Sequence, residues 1–369
     1  MLLLISHAGA NKGVTGYYRD HLENISFEYL YLAHPFPEST ITNSTLIYTN
    51  KSNKKTIVAK YWVPKNAIVA MIVSLFVTIW VVLRHGKKLH LIIGYGSFNT
   101  LAAILLKPLY RYKVYFWGVD YSSRRFANPL LNTLYLMFET IACKRANLII
   151  QPTKRQEEVR IKKHGLKPKH SLIVPNGVTG NELEKITDKS PDLAPAFIYL
   201  GSITEQHGIV NLIEEHYATK HTTIPIYILG GGPLANRLVK LIEDNRLSDI
   251  VHYLGYKSSE ELKSFIRDIQ YRCIGIAPYR EDGATDHVYY GDSLKLKEYL
   301  MYGMPYLIST VVEVPTSLQT FGAIYKSDKE LQLYLTDPKL IPKISSDEVR
   351  SALQSYIWER LYSTIPLHY

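Results

Sequence analysis

Strand-like apolar runs alternate with helical stretches along the chain, and that alternation constrains the fold more than any other feature. In the first half the runs are LLLIS (2–6), LHLIIGYG (89–96), KVYFWGVD (113–120) and ANLIIQPT (146–153). Strands separated by crossover helices run parallel and are buried on both faces. The rhythm resumes with AFIYLGS (196–202), IPIYILGGG (224–232), IVHYLGY (250–256), CIGIAPY (273–279) and PYLIST (305–310). Helices are expected near 208–216, 233–245, 258–268 and 293–302. A Pro- and Gly-containing seam, LIVPNGVTG (172–180), separates the two series. At 369 residues the chain exceeds the size at which one core stops growing. The expected class is therefore α/β, with two Rossmann-like doubly wound domains over 1–176 and 177–345. The stretch 346–369 reads as one amphipathic helix with Ser346 as its N-cap.

Charge is divided unequally between the halves. Residues 1–175 carry 24 Lys and Arg against 8 Asp and Glu, whereas 176–369 carry 19 against 25. A half this basic suits an anionic membrane surface, a phosphate-bearing substrate or nucleic acid. The chain lacks the interleaved aromatic and basic pattern of a nucleic-acid module, so no nucleic-acid partner is expected. The uncharged stretch AIVAMIVSLFVTIWVVL (67–83), closed by Arg84, His85, Lys87 and Lys88, tilts the balance toward a membrane. Its length leaves three readings open: a spanning helix, one dipping into a leaflet, or an internal core helix. Cys143 and Cys273 have no pairing or metal-ligand spacing, and Met1 to Ile5 reads as a first strand rather than a leader. The expected location is cytoplasmic, peripheral on the inner face of the cell membrane.

In open parallel sheets, ligands bind beyond the carboxyl ends of strands, where helix N-termini present free amides. In the second half Gly230 and Gly231, in LGGGP, permit close approach to a phosphate or sugar. The stretch GDSLKLKEYLMYGMP (291–305) places a helix start near Ser293. There the amides of Ser293 and Leu294 can hold a diphosphate, Lys295 adds positive charge, and Glu298 can accept from a ribose diol. The plainer alternative is a capped amphipathic helix with Lys297 and Glu298 in solvent. In the first half the strand-end candidates are His7, the glycines of NKGVTG (Gly13 and Gly16), Tyr95 and Ser97 of GYGS, and Asp120. Asp120 could orient or deprotonate an acceptor hydroxyl, or cap a helix or pair with Arg124 or Arg125. No H-E-x-x-H or Asp-x-Asp pattern occurs, so no metal and no cofactor is expected.

The ordered set VPNGV (174–178), YLGSITEQHGIVNLIE (199–214), ILGGGP (228–233), VHYLGYKSSEEL (251–262) and SLKLKEYLMYGMPYLIST (293–310) resembles the retaining nucleotide-sugar glycosyltransferases of the GT-B fold, particularly glycosyltransferase family 4. The resemblance implies two domains facing a central cleft, with the C-terminal helix returning to the first. It implies a nucleoside diphosphate sugar on the second domain and a glycan or lipid-linked acceptor on the first. Glu298 matches the second glutamate of the family's pair, Asp292, Lys295 and Glu298 match an Asp-x-x-Lys-x-x-Glu variant, and Tyr256 falls where the nucleobase is met. Catalytic roles fall to Asp120, Lys295 and Glu298. The chain departs from the pattern at Tyr290, where the first glutamate belongs, and at Ser202 and His207, where Arg and Lys usually neutralise the diphosphate. Lys295, Arg280 and a protonated His207 are the candidate replacements. The departures keep open a second reading, a catalytically silent binding or scaffolding partner in glycan assembly.

Overall fold

The computed structural model of the protein describes residues 1–8, 13–35, 41–183, 195–269, 272–281 and 286–367. The chain divides into two compact units, Met1–Pro175 with Trp358–Tyr369, and Asn176–Ile357.

The first unit contains β1 (Leu2–Ala8), α1 (Gly13–Asn24), β2 (Tyr29–Pro35), β3 (Asn43–Thr49), β4 (Lys55–Trp62), α2 (Ala67–His85), β5 (Leu91–Tyr95), α3 (Ser97–Leu106), β6 (Lys113–Trp117), α4 (Pro129–Arg145), β7 (Leu148–Gln151), α5 (Lys154–His164) and β8 (Ser171–Ile173). Its eight-stranded sheet has the order β4-β3-β2-β1-β5-β6-β7-β8. The strands from β2 to β8 run parallel, with alternate residues serving opposite layers: Leu3 and Ile5 pack on one face, Leu2 and Leu4 on the other. The antiparallel pair β3–β4 extends the β2 edge, a departure from the all-parallel expectation. Its turn is held by Asn50, whose Oδ1 accepts from the amides of Ser52 and Lys54 at 3.0 and 2.9 Å. β4 is the sheet edge and almost wholly exposed. Both cysteines are buried and neither is in a disulfide, and burial pushes the Cys143 thiol up to about 12.

The second unit contains α6 (Gly180–Leu183), β9 (Ala196–Leu200), α7 (Ile209–Leu212), β10 (Ile226–Leu229), α8 (Ala235–Asp244), β11 (Val251–Gly255), α9 (Ser259–Ile269), β12 (Cys273–Ala277), α10 (His287–Tyr290), α11 (Leu294–Met301), β13 (Tyr306–Ser309), β14 (Gly322–Tyr325), α12 (Asp328–Thr336) and α13 (Ser346–Leu353). Its six strands form one parallel sheet in the order β11-β10-β9-β12-β13-β14, the doubly wound arrangement. Ala196, Ile198 and Leu200 of β9 face one core layer, Phe197 and Tyr199 the other, so the strand is buried on both sides.

The C-terminal stretch is not one helix. α13 starts after Ser345 rather than Ser346 and ends at Leu353; a 3-10 turn (Gln354–Tyr356) and extended Ile357 intervene before α14 (Trp358–Ser363). Val349, Leu353 and Tyr356 belong to the core of the second unit, whereas Trp358 and Tyr362 belong to that of the first. One continuous apolar stripe would not serve two cores, and the chain passes to the first unit only at Trp358.

Candidate functional site

The second sheet ends in a group of small residues that let side chains approach its carboxyl edge. Gly230, at φ +144, faces the Gly201 carbonyl so closely that a Cβ there would collide with it. Its glycine is thus required by the protein's own packing, while Gly231 borders open space. Gly201 plays a comparable part for Lys295: at φ +130 a Cβ would lie 2.6 Å from Lys295 Cε.

α11 begins at this edge. Its N-cap is Ser293, whose side chain makes no hydrogen bond back to the helix and instead meets the Tyr279 hydroxyl at 3.1 Å. The first-turn amides are consequently left without a side-chain cap, the property that suits a helix start to an anion. Leu294 is exposed, and Lys295 is buried. Lys295 Nζ donates to Tyr279 Oη at 3.4 Å and lies 5.0 and 5.3 Å from the ring centres of Tyr279 and Tyr199. Aromatic faces hold a cation without neutralising it. No carboxylate pairs with Lys295 among the described residues. Glu298, one turn further in, is half-buried.

His207 follows β9 in a 3-10 turn, with its ring 5.4 Å from that of Tyr279 and its Nδ1 3.1 Å from Thr204 Oγ1. Burial first, and then the Lys295 charge, lower its pKa to about 4. The condition attached to His207, that it be protonated, is therefore not met near neutrality: burial, and after it the Lys295 charge, keeps the ring uncharged. Ser202 is exposed beside it. Arg280 is turned away into an ion pair with Glu215 at 2.6 Å, a bond that raises its pKa. It lines a groove of about 280 Å³ with Gly208, Ser309, Thr310 and Asp328. Tyr256, just after β11, is 82% exposed.

Asp292 was expected at the donor, yet its carboxylate is taken up internally. Lys297 Nζ donates to its Oδ1 and Oδ2 at 2.9 and 2.7 Å, and the Asn176 amide donates to Oδ2 at 2.5 Å. Asn176 Nδ2 also donates to the Asp292 carbonyl at 3.0 Å, which fastens VPNGV to the start of α11. Lys297, solvated in the plainer alternative reading of this stretch, is fully buried with Nζ 4.9 Å from the Tyr356 ring, and burial lowers its pKa.

In the first unit His7 closes β1, 3.2 Å from Asn99 Nδ2, and burial together with Arg125 lowers its pKa to about 4. Gly13 starts α1 at φ +53 and Gly16 lies within that helix; Asn11 and Lys12 of the same run lie outside the described residues. Tyr95 is buried and stacked on Trp117 at 4.7 Å, and Ser97 is buried at the start of α3, so both sit in the packing of the sheet rather than at an open edge. Asp120 is exposed, and among the described residues it makes no ion pair with Arg124 or Arg125.

Tyr279, Tyr199, Gly201 and Asn176 were not singled out by sequence reasoning. Tyr279 and Tyr199 each stand in a strand-end run, where the strand-end rule could have found them; Gly201 and Asn176 gave no separate signal.

Comparison with solved structures identifies the architecture. Sucrose-phosphate synthase from Thermosynechococcus elongatus superposes with a TM-score of 0.70 at 16% identity, over 98% of this chain and 96% of that one. Anabaena HepE, solved in complex with UDP, gives 0.68 at 12% identity, over 98% of each. The chain has the GT-B fold, two Rossmann-like α/β units with parallel sheets. In sequence it is 27% identical over 198 residues to WcaL of Salmonella typhimurium, an inferred colanic acid biosynthesis glycosyltransferase, covering 53% of this chain and 46% of that protein. WcaL of Escherichia coli K12 matches at 28% over 155 residues, covering 42% and 37%. The chain thus spans under half the length of these curated relatives. No protein-family model matches it.

Proposed function

We propose that the protein is a glycosyltransferase that moves a sugar from a nucleoside diphosphate sugar to a glycan or lipid-linked glycan acceptor, with retention at the anomeric carbon. Its setting is cell-surface polysaccharide or glycoconjugate assembly on the cytoplasmic face of a membrane. The observation that carries this reading is Lys295, a buried cation without a carboxylate partner among the described residues, beside the uncapped start of α11. The WcaL likeness and the fold support it.

The bond to the sugar breaks as negative charge collects on the departing diphosphate. The amides of Ser293 and Leu294, with Lys295, receive that charge, and because they are fixed beforehand they need no reorganisation. His207 is neutral near pH 7 and contributes a hydrogen bond rather than charge. Glu298 accepts from the ribose diol, Tyr256 offers its exposed ring to the base, and Gly231 leaves room for the donor. The acceptor oxygen attacks on the leaving-group face, its proton passes to a departing phosphate oxygen, and Asp120 orients the acceptor. No divalent ion takes part, so turnover survives EDTA.

The test is a panel of UDP-, GDP- and dTDP-sugars, read by thermal stabilisation and by transfer, with the product anomer assigned by NMR. Lys295→Ala and Glu298→Ala are each expected to lower turnover about 10²-fold while the variants remain folded. Full activity in both variants rejects the donor-site assignment. The second reading, a silent partner in glycan assembly, is favoured by the neutral His207 and by the Arg280–Glu215 pair, which leave Lys295 to act alone. Saturable nucleotide-sugar binding without turnover would establish it instead.

A further inference from the structure

α2 has two faces of different kinds, and only one is used by the fold. Ala70, Ser74, Val77, Thr78, Val81 and Val82 are buried, and Thr78 Oγ1 meets His34 Nε2 of β2 at 2.9 Å. The opposite stripe, Ile68, Ile72, Phe76, Trp80 and Leu83, recurs at three- and four-residue steps and stays in solvent, Phe76 at 65% and Trp80 at 54% exposure. Leu105 of α3 and Leu109 of the 3-10 turn after it are exposed as well; α3 packs alongside α2, and the Tyr110 hydroxyl donates to the Leu83 carbonyl at 3.0 Å. An apolar strip of this extent on a folded protein marks a surface that something covers.

We infer that this strip docks the first unit onto an anionic lipid bilayer, with α2 lying in the plane of the interface. Charge selects that occupant. Between Glu38 and Asp120 the chain has no acidic side chain and carries 11 Lys and Arg. Lys65 precedes α2, and Arg84, Lys87 and Lys88 follow its stripe; all four are exposed and make no ion pair among the described residues. Cations bordering an apolar helix face match acidic headgroups above an acyl layer. A second copy of this chain would bring the same positive charge to the contact and be repelled. α2 is long and apolar enough to cross a membrane. Crossing, however, would expose Ser74 and Thr78 to lipid and break the Thr78–His34 bond that fixes the helix to the sheet. The inference deepens the membrane setting in the proposed function and rests on that setting, but it needs no catalysis to be tested.

The full chain is floated with vesicles of phosphatidylcholine alone and of phosphatidylcholine with phosphatidylglycerol. It is expected to bind the anionic vesicles at low salt, to bind neutral ones more weakly, and to be released by alkaline carbonate. Ile72→Ser/Phe76→Ser/Trp80→Ser and Arg84→Gln/Lys87→Gln/Lys88→Gln should each weaken binding at least about tenfold. Both sets point outward, so the melting temperature should hold. Wild-type protein left in the aqueous fraction, variants that bind as tightly as wild type, or resistance to carbonate would each overturn the docking. So would a dimer that the serine variant converts to monomer without any vesicle binding. Nucleotide-sugar binding measured on the same samples separates the two ideas: its survival alongside failed flotation rejects the docking alone.

Discussion

Arg160 is wholly enclosed, and its guanidinium meets one carboxylate, Glu139, at 3.3 Å. Its other donors go to Gln151 and Gln156 Oε1 at 3.0 and 2.7 Å and to the Gly118 and Asp120 carbonyls at 3.5 and 3.3 Å. A buried charge is tolerated when every polar neighbour is used, and removing one partner strands the other. Arg160→Met is therefore expected to cost about 3–5 kcal/mol in a urea titration, by leaving Glu139 buried without its cation. The same network holds the backbone after β6, where Asp120 is offered to solvent. Asp292 and Lys297 obey the same logic: Asp292→Ala should lower stability by about 3–5 kcal/mol, whereas a residue that only touched donor would leave the unfolding midpoint in place.

Among the elements, the loop from β10 into α8 separates glycines that look alike in sequence. At Gly230 positive φ and the close Gly201 carbonyl both oppose a side chain, so Gly230→Ala should destabilise by more than about 1 kcal/mol. Gly231 has ordinary φ and nothing within 4 Å, and Gly231→Ala should melt like wild type. If Gly231→Ala nonetheless weakens nucleotide-sugar binding, the space beside it is where donor sits. The same separation operates on α11, where Asp292 and Lys297 anchor the helix and Lys295 is held on aromatic faces at its start.

At the scale of the whole molecule, four of the described histidines have their charged form strongly disfavoured by burial. Burial lowers His7, His164 and His207 to about 4 and His34 to about 3, against 6.5 in an unfolded chain. Below pH 6.5 the unfolded chain takes up protons that the folded one refuses, so stability present at neutral pH is lost as pH falls toward 4. The denaturation midpoint should accordingly decline between pH 6.5 and 4. His34→Gln, which cannot take up a proton, should show a shallower decline; an unchanged slope would mean that His34 is not part of the effect.

Much of this architecture was legible from patterns carried within short windows. Apolar runs of strand length separated by helical stretches marked nine of the strands, because central parallel strands are buried on both faces and read as continuous runs. The five missed strands are the fully buried β2, the hairpin strands β3 and β4, whose partial or full exposure breaks up an apolar run, and the short edge strands β8 and β14. The polar turn around Asn50 was the available signal for the β3–β4 hairpin. Near the proposed site, the sequence alone determined where α11 begins and ends, because Ser293 and the closing Gly303–Met304–Pro305 lie together in one stretch. Which charges remain available there was decided only by tertiary structure. Burial and neighbouring charge neutralise His207, Glu215 engages Arg280, and Asp292 pairs with a lysine that helical spacing alone would place in water. A charge's state depends on what encloses it, and its neighbours come from strands and loops far away along the chain.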